Sequence, residues 1–239
     1  MRGSQKNINY KTEWSPDFAY GIGLLTTDGC LFRNGKTIEF TSKDKQLVET
    51  FKDCLNIEGV KIGKKPRGGI PKKLYNRIEF CNTKLYKWLL TIGLMPAKSK
   101  IIGEIKVPDE YFFDFLRGVF DGDGSCYGYW DKRWDSSFMF YTKFYSASNR
   151  LILWLREKIY YSLGIKGDLH HTCRNGNSPV YQLKYAKRES KILLAKMYYK
   201  TNLPCLKRKS ENIIEILNSD AKETLKHSGR VLKPVYSLD

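Results

Sequence analysis

Two Asp-Gly pairs, Asp28-Gly29 and Asp123-Gly124, are the residues of this 239-residue chain best suited to chemistry. The aspartates are 95 positions apart, so each lies near the start of one half of the chain. Carboxylate oxygens are the ligands that Mg2+ prefers in proteins. If the two pairs meet in the fold, the sequence predicts a divalent-metal site. For either pair taken alone, the alternative is a helix end followed by a turn.

The residues before each pair predict a helix that carries small residues on one face. Gly23 and Thr27 are four positions apart before the first pair, and Gly118 and Gly122 are four apart before the second. Residues at this spacing share a helix face, and small residues there let two helix backbones approach closely. We therefore expect these helices to pack together and to bring the two aspartates to one seam.

The charge of the chain indicates an anionic partner. The net charge is +17, from 42 Lys and Arg against 25 Asp and Glu. A sustained positive balance of this size favours nucleic acid over an anionic membrane surface, the alternative being only a basic soluble surface. No uninterrupted apolar run approaches the roughly 20 residues needed to cross a bilayer.

The cysteines indicate an intracellular protein. All six are widely spaced and none forms a C-x-x-C pair, which disfavours a zinc site. The N-terminal residues do not resemble a signal peptide. We therefore expect reduced core thiols and an intracellular location.

Turn signals and apolar periodicity predict an α+β fold of two pseudo-symmetric αββαββα repeats. Ser15-Pro16-Asp17 is a strong helix start, and Asn34-Gly35 is a strong hairpin signal. The predicted domains are the first repeat at 1–97, a linker at 98–108, the second repeat at 109–218 and a polar tail at 219–239. The predicted helices are 17–27, 42–55, 82–92, 109–122, 149–163, 189–199 and 207–217, and the predicted hairpins are 30–40, 60–81, 126–146 and 165–186.

The segments GIGLLTTDG, 21–29, and LRGVFDGDG, 116–124, resemble the two motifs of monomeric LAGLIDADG homing endonucleases. The second copy is close, whereas in the first Thr26 stands where the motif has its first acid. The resemblance implies that two sheets form a DNA-binding saddle around a central seam of motif helices. It also implies an intron-encoded monomer that makes a double-strand break with short 3′ overhangs in a long asymmetric DNA target.

The resemblance also implies the residues of the active site. Asp28 and Asp123, with Thr27 and Gly122 beside them, are the expected metal ligands. Mg2+ is the expected cofactor, with Mn2+ able to substitute and Ca2+ able to bind without supporting cleavage.

A basic residue past the last helix of each repeat is expected to reach the active site. Lys98-Ser99 and Lys209-Ser210 correspond in the two halves, so Lys98 and Lys209 are the candidates, with Lys100 as an alternative to Lys98. Such a lysine would hydrogen-bond the attacking water and offset charge in the transition state. The alternative is a lysine-rich solvated linker.

The predicted hairpins have the composition of a DNA-reading surface. In strand 74–81, Leu74, Ile78 and Phe80 are expected to face the core. In strand 138–146, the phenylalanines alternate with aromatic and basic residues. The predicted DNA-binding residues are Lys61, Lys65, Tyr75, Arg77, Lys132, Arg133, Tyr141, Lys143, Arg174, Gln182 and Lys184.

Two other functions remain open on the same scaffold. One is a DNA-binding regulator that does not cut, and the other is an RNA-splicing maturase. The presence of both Asp28 and Asp123 favours the endonuclease over the regulator, whereas the sequence does not separate it from the maturase.

Overall fold

The computed structural model describes residues 12–67, 70–133, 137–173 and 179–228, in which the two halves repeat one order of elements. The first repeat consists of α1 (Pro16–Asp28), β1 (Gly29–Leu31), β2 (Thr37–Ser42), α2 (Lys45–Cys54), β3 (Gly63–Arg67), β4 (Ile70–Cys81) and α3 (Thr83–Thr91). The second consists of α4 (Phe112–Asp123), β5 (Ser125–Trp130), β6 (Phe138–Ser146), α5 (Asn149–Leu163), β7 (Asp168–Thr172), β8 (Val180–Ala186), α6 (Lys187–Met197) and α7 (Lys207–Ser228).

Each repeat builds one antiparallel four-stranded sheet. The strand order is β1-β2-β4-β3 in the first sheet and β5-β6-β8-β7 in the second. The second hairpin of each repeat thus pairs with the first hairpin through the same inner strands. The prediction of an α+β fold with two pseudo-symmetric repeats is confirmed.

Local signals place the start of α1 as the sequence predicts. The Ser15 hydroxyl accepts a hydrogen bond from the Phe18 backbone N–H at 3.2 Å, and Pro16 occupies the first helical position. A capping hydroxyl satisfies a backbone donor that has no partner inside the helix, and proline costs nothing there. These residues fix where the first motif helix begins.

Helices α1 and α4 meet at a central seam through their glycines. A Cβ atom on Gly118 would lie 2.1 Å from the Tyr20 carbonyl oxygen and 3.0 Å from the Gly23 Cα. A Cβ atom on Gly23 would lie 2.1 Å from the Phe115 carbonyl oxygen. The two backbones are therefore in direct contact, which only glycine allows at these positions.

Replacing Gly118 by alanine is expected to destabilise the protein by about 3 kcal/mol, because the added methyl group must push two helix backbones apart. The intrinsic helix preference for alanine offsets only part of this cost. Urea denaturation followed by circular dichroism measures the change. Gly103→Ala is the control, since its methyl group would meet Arg150 at an ordinary 3.6 Å. Equal stabilities of the two variants would contradict the close seam.

The segments outside the repeats are more ordered than the sequence suggests. The predicted linker contains two 3₁₀ turns, Lys98–Lys100 and Asp109–Tyr111, and buries Ile102 and Ile105. Helix α7 continues to Ser228, eleven positions past its predicted end at 217 and into the predicted tail. Apolar residues in the linker pack on the core, so the connection is part of the folded body. In the predicted hairpins 60–81 and 165–186, the turn signals Gly68-Gly69 and Asn175-Gly176 lie outside the described residues.

One predicted core residue is exposed. Ile78 and Phe80 are buried as expected, but Leu74 is 53% exposed. Leu74 pairs with Pro66 near the hairpin end of β4, whereas Ile78 and Phe80 pair with the buried strand β2. The alternation along β4 places Leu74 on the correct face, but the buried part of the sheet ends before it.

The cysteines are free in the described part of the chain, and only some of them belong to the core. Cys54 and Cys126 are buried, whereas Cys30, Cys81 and Cys173 are exposed and Cys205 is intermediate. The expectation of six core thiols is therefore wrong, because Cys30 lies on the edge strand β1, Cys81 is the last residue of β4 and Cys173 follows the edge strand β7. Within the described residues, no helix combines the length and apolar character needed to cross a membrane.

Candidate active site

The seam brings the two Asp-Gly pairs together. Helix α1 ends at Asp28 and α4 ends at Asp123. A Cβ atom on Gly122 would lie 1.9 Å from Thr27 Oγ1 and 3.2 Å from Asp28 Oδ2, so the ends of the two helices touch. Both aspartates line one cleft of about 600 Å³, which lies beside the first sheet.

The residues at this seam fit a hard divalent cation. Two carboxylates, one from each repeat, supply oxygen ligands of the type that Mg2+ prefers. Glycine at position 122 leaves room beside Asp28 that any side chain would fill. Among the described residues, no group of three or more His, Cys, Asp and Glu gathers as a metal site. Backbone carbonyls, water or oxygens of a bound substrate could supply the remaining ligands.

Lys98 lies directly beside the carboxylate pair. Its side chain is buried, with 5% exposure, and its Nζ donates to the Thr27 carbonyl oxygen at 3.1 Å. Burial lowers the pKa of the ammonium to about 8, although Asp28 and Asp123 act to raise it. Lys100 belongs to the same 3₁₀ turn but is exposed, and it does not line the cleft. Of the two lysines that the sequence left open, the structure places Lys98 at the site.

Lys209 hydrogen-bonds the C-terminal end of the second motif helix, α4. Its Nζ donates to the carbonyl oxygens of Phe120 at 2.7 Å, Asp121 at 2.9 Å and Gly124 at 2.7 Å. Burial lowers the pKa of this ammonium to about 8, and the nearby Asp121 acts to raise it. Lys98 and Lys209 correspond in sequence, but their hydrogen bonds differ.

Asp121 is a buried carboxylate that sequence reasoning did not single out. Its Oδ2 accepts hydrogen bonds from the Tyr20 hydroxyl and from the Leu206 backbone N–H, both at 2.7 Å. Burial raises the pKa of this carboxyl to about 6. The sequence could have indicated Asp121, because this residue occupies the first acid position of the second motif, LRGVFDGDG. In the first repeat Thr26 stands there instead, and its hydroxyl donates to the Ile22 carbonyl oxygen of its own helix at 2.8 Å.

A buried arginine lies next to this contact. Arg117 is fully buried, and its guanidinium donates to Pro204 O at 2.9 Å, Met197 O at 2.7 Å and Asp114 Oδ1 at 2.8 Å. Its Cζ lies 5.4 Å from the centre of the Tyr20 ring. Arg117 thus joins the second motif helix to the segment between α6 and α7.

The outer face of the first sheet carries an ion-pair network. Lys65 Nζ lies 2.5 Å from Glu39 Oε1, and Arg77 Nη1 lies 3.5 Å from Glu39 Oε2 and 3.4 Å from Glu79 Oε2. Tyr75 pairs with Lys65 across the strands and lines the cleft. The structure therefore places Lys65, Tyr75 and Arg77 on one face, but two carboxylates share it with them.

The outer face of the second sheet carries aromatic rings and lysines. The Tyr127 and Tyr141 rings stack with centroids 5.5 Å apart. Lys143 Nζ lies 4.7 Å from the Tyr127 ring, and Lys184 Nζ lies 4.6 Å from the Tyr141 ring. Gln182 pairs with Tyr145 across the strands, on the same face. The four residues predicted for this face therefore lie together.

The remaining predicted DNA contacts lie near the hairpin ends. Lys61 is exposed just before β3, and Lys132 is exposed in the turn after β5. Arg133 lies in that same turn and pairs with Asp131, with Nη2 2.8 Å from Oδ2. Arg174 lies outside the described residues.

Arg208 is a further residue that sequence reasoning missed. Its Nε lies 3.1 Å from Asp44 Oδ1 and its Nη2 lies 2.8 Å from Asp44 Oδ2, so the pair is bidentate. Arg208 lines the cleft of both aspartates and also a neighbouring cavity of about 580 Å³ that contains Asp123 and Lys209. No local signal predicts this pair, because its members are 164 positions apart.

A larger cavity of about 900 Å³ lies elsewhere, between α2 and the segment leading into α7. Its lining mixes apolar side chains with the charged residues Asp53, Lys191 and Glu211. Asp28 and Asp123 do not line it, so it is not part of the candidate site.

The first repeat matches a known family of domains. Residues 15–92 match the sequence model of the LAGLIDADG-like domain. No curated protein sequence matches the chain.

Solved structures share the fold over both repeats. The homing endonuclease I-WcaI bound to its DNA recognition sequence has a TM-score of 0.55 at 14% identity, covering 89% of this chain and 95% of that chain. The I-LtrWI LAGLIDADG homing endonuclease bound to target DNA has a TM-score of 0.55 at 13% identity, covering 88% and 92%. Full-length DUF199/WhiA from Thermatoga maritima has a TM-score of 0.53 at 13% identity; the match covers 94% of this chain but only 65% of the WhiA chain. At these identities the likeness establishes the fold alone.

Proposed function

We propose that this chain, which has the two-repeat LAGLIDADG fold, is a site-specific DNA endonuclease that cuts both strands with the help of a divalent cation. The observation that carries the proposal is the convergence of Asp28 and Asp123 with Lys98 in one cleft. One carboxylate comes from each repeat, which suits a duplex with one scissile phosphate on each strand.

The carboxylates of Asp28 and Asp123, with the backbone carbonyls of Thr27 and Gly122, would hold Mg2+. When bound, such an ion supplies an activated water and stabilises the leaving oxygen of a phosphodiester. Mn2+ is expected to substitute, and Ca2+ to bind without supporting cleavage.

Lys98 would act on the phosphate and on the attacking water. Its ammonium donates one hydrogen bond, to Thr27 O, and in the described residues no other partner takes its remaining two N–H groups. Asp28 and Asp123 favour the charged form of this lysine, so the pKa stays at about 8 despite burial. A cation in this position offsets the negative charge that develops on the phosphate oxygens.

The outer faces of the two sheets would bind the DNA. The net charge of +17 provides the attraction to phosphate, and lysine, arginine and glutamine side chains on strands can distinguish base pairs in the major groove. The predicted residues on these faces differ between the sheets, which suits an asymmetric target. We also propose a monomer, because one chain carries both repeats, and an intracellular location, because the cysteines of the described residues are free.

Cleavage of a randomised double-stranded DNA library in Mg2+ tests the proposal. The expected result is one long, asymmetric site cut on both strands, with no cleavage in Ca2+ or EDTA. Binding of one site without cleavage in Mg2+ or Mn2+ would contradict the endonuclease function.

The second candidate is a DNA-binding regulator that does not cut. The shared fold of WhiA, whose description names no endonuclease, keeps this candidate open. Binding of a duplex site without cleavage would favour it, whereas preference for structured RNA in the same assay would favour a maturase.

A further inference from the structure

Lys98 and Lys209 correspond in sequence but differ in the number of hydrogen bonds that their ammonium groups donate. An ammonium group has three N–H donors, and those of Lys209 are matched by three carbonyl oxygens at 2.7 to 2.9 Å. Among the residues that the structure describes, Lys98 uses one donor, at 3.1 Å. Lys98 can therefore bind a phosphate without giving up a contact, whereas Lys209 would first have to release the end of α4.

Arg208 has the free donors that Lys209 lacks. A guanidinium has five N–H donors, and the Asp44 pair engages only the Nε and Nη2 atoms. Within the described residues, Nη1 makes no hydrogen bond. The side chain is 60% exposed and borders both cavities that contain Asp123.

The first repeat holds Arg208 in place. Asp44 precedes α2, and its side chain makes no capping hydrogen bond there but turns to the guanidinium. Two residues later, Gln46 donates to Cys205 O at 2.8 Å and accepts from the Lys207 backbone N–H at 3.2 Å. The start of α7 is thus fixed to the start of α2, and an oriented arginine fork is well suited to phosphate.

We infer that Arg208 binds the scissile phosphate on the Asp123 side of the cleft, that Asp44 is its positioning residue, and that Lys209 instead braces the end of α4. This inference rests on the proposed endonuclease function and names the cationic side chain that would contact the scissile phosphate of one DNA strand. Arg208 comes from the second repeat and Asp44 from the first, so this phosphate contact is complete only when the two repeats are docked.

The test compares Arg208→Gln, Asp44→Asn and Lys209→Met with wild type, using the DNA site selected from the library. Arg188→Gln is the matched control, because Arg188 is exposed on α6, away from the cleft. Binding is measured in Ca2+ over a series of salt concentrations. Each phosphate contact contributes about 0.9 to the slope of log affinity against log salt. Arg208→Gln should lower the slope by about one, and Arg188→Gln should leave it unchanged.

Strand-resolved cleavage in Mg2+ gives the second readout. With each strand labelled separately, Arg208→Gln should slow one strand on the order of 10²-fold and leave the other close to wild type. Asp44→Asn should slow the same strand less, because the arginine remains but loses its orientation. Lys209→Met should lower the melting temperature, whereas Arg208→Gln should hardly change it, since an exposed ion pair adds little stability.

Two results would overturn the inference. One is an unchanged salt slope together with equal strand rates in Arg208→Gln. The other is a strand-selective loss in Lys209→Met with no change in melting temperature. If the wild type binds its site but never cuts, the endonuclease function fails, while the salt slope still decides whether Arg208 contacts phosphate.

Discussion

Replacing Asp28 or Asp123 by asparagine is expected to abolish double-strand cleavage while leaving DNA binding intact. Asparagine keeps the size of the side chain but removes the charge that would hold the cation. A metal ion contributes several kcal/mol of transition-state stabilisation. At about 1.4 kcal/mol for each tenfold change in rate, the loss should be on the order of 10³-fold or more.

The measurement is cleavage of the selected site in Mg2+, with binding followed separately in EDTA. Affinity should stay the same or rise slightly, because each variant removes one negative charge near the phosphates. Asp53→Asn is the control, since Asp53 is exposed on α2 and lines the other cavity. Cleavage at the wild-type rate in either seam variant would show that this carboxylate is only a helix end.

Replacing Arg117 by methionine is expected to lower the free energy of unfolding by about 3 to 5 kcal/mol. The change leaves the Asp114 carboxylate, which is 4% exposed, without its buried counter-ion. It also removes the donors to the Met197 and Pro204 carbonyls. For a chain of this size the melting temperature should fall by roughly 6 to 20 °C.

Denaturation in urea, followed by circular dichroism, measures this effect. Arg188→Met is the surface control and should change stability by less than about 0.5 kcal/mol. Adding Asp114→Asn to the Arg117→Met variant should restore part of the loss, because it neutralises the unpaired charge. A loss below about 1 kcal/mol in the single variant would mean that water reaches Asp114 once Arg117 is removed.

Much of the fold follows from local signals in the sequence. Ser15 and Pro16 set the start of α1, and the predicted bounds of α5 match the observed helix, Asn149–Leu163. Alternation along β6 correctly separates the buried phenylalanines from the outer residues. These features depend on neighbours within a few positions, so the sequence predicts them well.

The details of the site depend on contacts between distant segments. The sequence left Lys98 and Lys100 as alternatives, because only the turn after α3 decides which of them is buried. Asp121 has its partners in Tyr20 and Leu206, 101 and 85 positions away. No periodicity predicts such contacts, and the same holds for the pair formed by Arg208 and Asp44.

The direct contact of α1 and α4 at Gly23 and Gly118 sets the distance between the two proposed metal-binding carboxylates. It fixes the separation of Asp28 and Asp123 through backbone atoms, which are independent of the residues on the outer faces of the sheets. We therefore expect the distance between the cuts on the two DNA strands to depend on the contact of α1 and α4. The hairpins determine which DNA sequence is bound. Redesigning the hairpins would change which DNA is cut but not the length of the overhang.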